Sequence, residues 1–353
     1  MGKNTLKLSV FFISLILIIP LCLFSQQEEG APLLEKAIFF VMEDGSGNYQ
    51  IGRMGLKGEN KEILTSQGSN WAPSVSYDGK MAAFYSNRNG FANLFIMRTD
   101  GSSQKQLTND ADNIIDVDLR NRGQITWDRE KSDIIFLRKG DIWKTDSLGL
   151  SPSALTSYHD ITMFKTDPDC KKIAFSRKVT KRHNGLWTML VEGTNVRQIA
   201  ASEVLMPAFD WADSATLGYF FNRGFYSINH VGIENKLVVD TYYHDNDIAW
   251  SKTSQDRTQN TVAYLDNAGG AENIWLVKGD GTNKRQLTDK GGHSPAWMAD
   301  GKNLLYVEGP DINIINTDSK EKQRLTYYFK AHYPIVADVF PRNIKPAGDA
   351  VKK

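Results

Sequence analysis

The stretch Pro73-Ser74-Val75-Ser76-Tyr77-Asp78-Gly79-Lys80-Met81-Ala82-Ala83-Phe84 leads into Asn93-Leu94-Phe95-Ile96-Met97, then Asp100-Gly101, then Lys105-Gln106-Leu107-Thr108. Further along, the chain writes nearly the same text: Pro295-Ala296-Trp297-Met298-Ala299-Asp300-Gly301-Lys302-Asn303-Leu304-Leu305-Tyr306, then Asn313-Ile314-Ile315, Asp318 and Gln323-Arg324-Leu325-Thr326. Each stretch holds four short β-forming runs separated by turn residues. Asp-Gly between apolar runs marks a tight hairpin, because the turn needs backbone angles that Asp and Gly adopt at little cost.

Outward from these two stretches, the second run recurs seven times, at Ile38–Val41, Met81–Tyr85, Ile134–Leu137, Ile173–Ser176, Leu217–Phe221, Val262–Leu265 and Leu304–Val307. The fourth run ends in Leu-Thr at Thr65, Thr108, Thr156, Thr288 and Thr326, with Ile199-Ala200 and Val239-Asp240 in that place in two degenerate units. The step from these ends to the next first-run anchor (Pro73, Phe164, Pro207, Ile248, Pro295, Pro334) is nearly constant. Units of roughly 43 residues have the length of one four-stranded propeller blade. The first unit opens at Ala37 on its second run, and the chain ends with a spare first run, His332–Phe340. The expected fold is therefore all-β: a seven-bladed propeller of four-stranded antiparallel blades over 36–340, with six blades as the alternative. The C-terminal strand would complete the first blade, close the ring and cover its exposed edges. Residues 341–353, with Pro, Gly and Lys, read as a flexible tail.

Lys3 and Lys7 precede an uncharged run from Leu8 to Phe24, and Ser25 is followed by Gln26-Gln27-Glu28-Glu29. This is the pattern of a signal peptide over 1–25, followed by a short linker over 26–35. An uncleaved anchor and a lipid anchor on Cys22 are the rivals, and a membrane becomes a partner only if the segment is retained. The expected location is outside the cytoplasm, periplasmic or extracellular. Cleavage would leave Cys170 as the single thiol, so no intramolecular disulfide is expected. Composition excludes two classes: 42 Lys+Arg against 41 Asp+Glu in 353 residues give no basic excess for gripping nucleic acid, and 41% hydrophobic with 11% aromatic residues is no disordered chain.

The repeat resembles that of the TolB-like β-propeller family, which reads roughly Trp-Ser-Pro-Asp-Gly-Lys, Ile-Ala-Phe, Ile-Tyr, Asp-Gly, Gln-Leu-Thr. Tyr77-Asp78-Gly79-Lys80 carries the turn here, and Leu94-Phe95, Ile142-Trp143 and Ile274-Trp275 match the Ile-Tyr element. The resemblance spans the propeller part alone, about 36–340, without the N-terminal domain of TolB. It implies the fold and leaves function open, since such repeats serve partner-binding proteins, peptidase propellers and glycan lyases.

Blade topology puts the linkers entering each first strand, and the loops between second and third strands, on one face. His159, His244, His293 and His332 fall in linkers and His183 in the loop Arg177–Asn184, with Trp71, Asp160, Asp245, Asp247, Tyr158 and Tyr333 nearby. Such a rim suits a peptide, a glycan or a metal ion, while linker histidines also serve as plain caps between blades. Sequence spacing leaves metal binding undecided. The longer link Asn109–Gln124, with Asp110, Asp112, Asp116 and Asp118, is either an inserted linker or a first strand at Ile114–Leu119 with an extended hairpin. Cys170 stands where other units have the turn Gly, a repeat variant and not a nucleophile. No elbow serine, zinc helix, phosphate loop or paired-cysteine motif occurs, and no motif asks for a cofactor. The expectation is a non-catalytic exported scaffold that binds a protein or a cell-envelope polymer through one face. The alternative is a metal-assisted polysaccharide lyase or hydrolase, as the resemblance to histidine-metal glycan lyases implies.

Overall fold

The computed structural model describes residues 35–115, 124–180, 183–202, 208–241, 247–252, 254, 256, 258–268 and 270–339. Every regular element among them is a strand, and the strands form seven four-stranded antiparallel sheets. No helix among the described residues is long and apolar enough to cross a membrane. The expected signal peptide, nearly all of the linker and the tail lie outside the described residues.

Seven second strands occur where the apolar runs place them, from Glu35–Glu43 in the first blade to Asn303–Glu308 in the seventh. The last strand, Ala331–Val339, lies at the edge of the first sheet and pairs antiparallel with Glu35–Glu43, setting Ala37 opposite Ala337, Ile38 opposite Val336 and Phe39 opposite Ile335. It also touches the first strands of its two neighbours, His293–Trp297 and Asn70–Val75. The ring is thus closed, with seven blades; the six-blade alternative is excluded. First strands meet around the axis and fourth strands lie at the rim.

Alternation along each second strand explains what holds the ring together, because successive residues point to opposite sheet faces. Phe39 joins Phe84, Phe95 and Met97 between the first and second blades, while Ile38 and Phe40 join Leu305 and Val307 between the seventh and first. The hydrophobic clusters are the seams between successive blades, all seven of them. Burying each large side chain here contributes about 1.5–3 kcal/mol. Tryptophans stitch the inner strands: the Nε1–H groups of Trp127, Trp211 and Trp297 donate to the carbonyls of Ser74, Lys165 and Ala249 on the preceding blades, at 2.9–3.0 Å.

The Leu-Thr ending has a specific job. In five blades the regular fourth strand is only two or three residues long, as at Arg285–Gln286. The threonine hydroxyl then accepts the third-strand amide that the ladder no longer reaches: Ile51, Leu94, Ile142, Ile274 and Ile312 donate to Thr65, Thr108, Thr156, Thr288 and Thr326 at 2.8–3.0 Å. The same hydroxyls donate to Gln50, Asn93, Asp141, Asn273 and Asp311 at the head of the third strand. The two degenerate blades lack the threonine and carry longer fourth strands, Arg197–Ser202 and Lys236–Asp240.

The longer link also resolves. The first strand of the third blade is Ile125–Trp127, paired with Ile134–Arg138, so the link is an inserted linker and the alternative of a first strand at Ile114–Leu119 is corrected. Ile114 is buried in the seam between the second and third blades, its N–H on the Ala92 carbonyl and its carbonyl taking the Lys139 N–H. Residues 116–123 lie outside the described residues.

Thr288→Val keeps the shape but leaves the Ile274 amide unpaired in a buried site and removes one of the two donors to Asn273 Oδ1, the Gly291 amide remaining. The expected loss is about 1–3 kcal/mol of unfolding free energy, read as a lower denaturant midpoint with unchanged slope.

Candidate functional site

Backbone hydrogen bonds show that linkers and second-to-third-strand loops share one face: Glu43 N–H donates to the Lys330 carbonyl, Asn87 to Ser69, and Lys178 to Asp160. The threonine clasps reach into this face. Asp141 Oδ1 accepts the Thr156 hydroxyl and the Tyr158 amide at 2.6 Å, while Oδ2 accepts the His159 amide at 3.3 Å and lies 2.6 Å from His159 Nδ1. His159 takes φ +58 and leaves 77% of its side chain exposed.

Asp160 is committed to a neighbour. Arg177 grips it with two donors, Nε at 2.7 Å and Nη2 at 2.9 Å, and the guanidinium lies over Tyr158 at 3.7 Å and Trp187 at 5.1 Å. His183 opens the strand His183–Leu190, opposite Thr180. The expected loop Arg177–Asn184 is therefore mostly hairpin, because pairing continues from Arg177–Gly185 to Lys178–Asn184. His293 opens its strand, with Nδ1 2.9 Å from Ser294 Oγ, and the Ser294 amide donates to Asp247 on the previous linker at 2.6 Å. His332 packs edge-on to Tyr49 with ring centroids 6.1 Å apart; burial pushes its pKa below the ordinary histidine value, and Glu43 opposes that only in part.

Trp71 needs a correction as a binding residue. Its ring is wholly buried against Tyr85, in the seam with the third blade. His244 and Asp245 lie outside the described residues. Among the described residues no three His, Cys, Asp or Glu side chains converge as a metal site.

The seventh linker supplies what sequence reasoning missed. Asp311 accepts the Thr326 hydroxyl and the Phe329 amide and pairs with Arg324. Arg324 Nε donates to the Thr326 carbonyl at 2.9 Å, and its guanidinium lies over Tyr327 at 4.6 Å and Tyr328 at 5.3 Å. These tyrosines are 64% and 84% exposed, and Tyr328 is held at φ +58. Lys61 adds a second cation over Phe329 at 4.4 Å. The sequence signal was Tyr327-Tyr328 directly after a clasp threonine, where the other four clasp threonines are followed by Ser66, Asn109, Ser157 and Asp289.

At the opposite end of the axis, the hairpins joining first and second strands surround two cavities. One, of about 480 Å³, is lined by Lys165, Asp210, Ile248–Lys252 and Pro295–Ala299. The other, of about 310 Å³, is lined by Ser74–Tyr77, Thr126, Trp127 and Ile335–Ala337. At this end Cys170 takes φ +54, as its turn position requires, and its sulfur lies 2.8 Å from the Tyr77 hydroxyl. Burial, then this hydrogen bond, pushes the Tyr77 pKa up.

With this geometry in place, likenesses to solved structures define the fold. An oligogalacturonate lyase in complex with manganese superposes with a TM-score of 0.54 at 12% identity, over 83% of this chain and 85% of that one. TolB from Acinetobacter baumannii gives 0.53 at 14% identity, over 85% of this chain and 66% of its own length, just under two thirds. A chain of a nidogen–laminin complex gives 0.50 at 12% identity, over 86% and 98%. The fold is a TolB-like β-propeller. Identities this low carry the fold alone, and these neighbours include a lyase. No family model matches the sequence, and no curated protein does.

His332 yields a pH test. Its folded pKa lies below its unfolded value, so its neutral form contributes stability above about pH 6.5, and that contribution is lost as pH falls through the folded pKa. Thermal midpoints should fall between pH 7.5 and 5, and His332→Phe should flatten this slope while leaving the steeper carboxylate-driven fall at lower pH.

Proposed function

We propose that this chain is a non-catalytic, exported binding scaffold whose linker face recognises a protein or a cell-envelope polymer. One observation carries the reading: the clasp residues Asp141 and Asp311, held by buried threonine hydroxyls, fix their linkers by part-buried bonds to the Tyr158 and Phe329 amides, while His159, Tyr327 and Tyr328 stand exposed. A surface held in place before the ligand arrives loses little loop entropy on binding. Tyrosines backed by a guanidinium are frequent anchors of protein interfaces, with large area and few rotatable bonds. The nidogen–laminin neighbour supports a protein partner by analogy of architecture. His159, His293 and His332 stand on different blades, beside Asp141, Ser294 and Tyr49 respectively.

The test places a photo-reactive residue at Tyr328 and, as a control, at Leu148 on a turn of the opposite face. A cross-linked product from envelope fractions should form from position 328 alone. Tyr327→Ala should weaken the same interaction about tenfold, the size of a moderate hot spot. Equal cross-linking from both positions, or from 148 alone, refutes the reading.

A further inference from the structure

In each blade the turn between the third and fourth strands leans on the fourth strand of the blade before it. Six of these turns touch their neighbour through a glycine at positive φ: Gly58, Gly101, Gly149, Gly193, Gly232 and Gly281. The approach is too close for a side chain. A Cβ at Gly58 would lie 2.9 Å from the Leu325 carbonyl oxygen, and one at Gly281 would lie 2.4 Å from that of Val238. The seventh blade departs from the pattern, holding Lys320 in that place at φ +59, with its N–H on the Asn316 carbonyl. A lysine cannot press on Leu287 as a bare glycine would, so the seam between the sixth and seventh blades stands open at this point. It holds a cleft of about 360 Å³, within the range of small-ligand sites, about 300–1,000 Å³.

Charges of both signs line the cleft. Lys320 Nζ reaches across it to the Gln286 carbonyl at 3.1 Å, and Lys322 Nζ lies 2.9 Å from both oxygens of Glu308. Glu308 also accepts the Tyr306 hydroxyl at 2.9 Å; burial, then this bond, pushes the Tyr306 pKa up, so the phenol stays a donor. Asp289, exposed at the head of the next linker, has no hydrogen bond or ion pair among the described residues. Each ammonium group has three protons to donate, so both lysines keep donors to spare. Leu287, Ile315 and the Tyr306 ring form the apolar floor.

This alternation selects the ligand by its charge. An anion would lie against Asp289 and Glu308, and a cation against Lys320 and Lys322. A purely apolar body would strip water from four charged groups and give them nothing in return. A hydroxyl group suits both signs at once, accepting from an ammonium while donating to a carboxylate. The C–H face of a sugar ring suits the floor.

We propose that this cleft binds a neutral sugar, whose hydroxyls bridge the donors Lys320 and Lys322 to the acceptors Asp289 and Glu308. Two sources share that chemistry: a free neutral saccharide and one unit of a neutral polysaccharide. The site uses none of the residues on which the linker-face reading rests.

Saturation-transfer NMR titrations of the full chain test it with two series, glucose with glucuronate and glucosamine, and galactose with galacturonate and galactosamine. They are run at about pH 6, where the amino sugars carry charge. In at least one series the neutral sugar should bind roughly tenfold or more tightly than both charged relatives, the worth of one charge-assisted hydrogen bond. Lys320→Gly, which restores the residue of the other six turns and suits the positive φ, should close the seam and weaken that sugar about tenfold. Asp289→Asn, on an exposed side chain, should weaken it several-fold. Cellobiose or galactobiose separates the sources: tighter binding than the single sugar assigns the cleft to a polymer, and equal or weaker binding to a free saccharide. No binding of either neutral sugar, equal binding of the charged relatives, or undiminished binding by Lys320→Gly overturns the proposal. The comparison of sugars uses the unmodified protein, and none of its outcomes bears on the linker face.

Discussion

The register between Ala331–Val339 and Glu35–Glu43 is the constraint on which the other blades depend. A propeller blade cannot bury its own apolar faces, so each leans on two neighbours, and an open row would leave two blades half-bare. Placing Val336 opposite Ile38 and Ile335 opposite Phe39 joins the two ends of the chain in one sheet. The seam containing Phe40, Leu305 and Ile312 then becomes equivalent to the other seams. The last strand also touches the first strands on both sides, so the same pairing holds the central axis. A one-residue slip would turn Val336 and Val339 to the wrong side of the sheet.

Inside that ring, the repeat motif shapes the linker face through one device. A threonine after a short fourth strand completes the hydrogen bonding of the third strand and hands its proton to an Asn, Gln or Asp side chain. In four of the five clasped blades that side chain also takes an amide of the linker that follows. The core motif thereby dictates the path of a surface segment. Where the threonine is missing, in the two degenerate blades, the backbone ladder runs on instead. The two faces then differ in character. The linker face offers exposed tyrosines and His159 on pinned segments, whereas the opposite end holds two cavities lined largely by first-strand residues.

Much of this was legible beforehand. Seven apolar second strands, the Leu-Thr endings and the spare C-terminal run were enough to place every blade and to expect closure, because alternation and turn chemistry are local properties of the chain. The site was legible only in part. His159 was placed on the right face and is exposed, but Trp71, next to a linker, turned out to be a seam residue, and Asp160 was already spent on Arg177. Linear spacing locates a residue on a blade end; it does not say whether a seam will swallow the side chain. The cleft beside Lys320 escaped notice because its walls lie on two different blades.

The amino-acid order alone therefore determined strand order within the blades and the expectation of ring closure, with seven blades read and six left as the alternative, since each follows from hydrophobic periodicity and turn-forming residues that act over a few positions. Only the folded ring decided which side chains are buried between sheets, which stand in solvent and which charges meet between neighbouring blades. Those outcomes depend on distances between segments forty or more residues apart, such as the 3.4 Å between Lys165 and Asp210, and no local pattern encodes them.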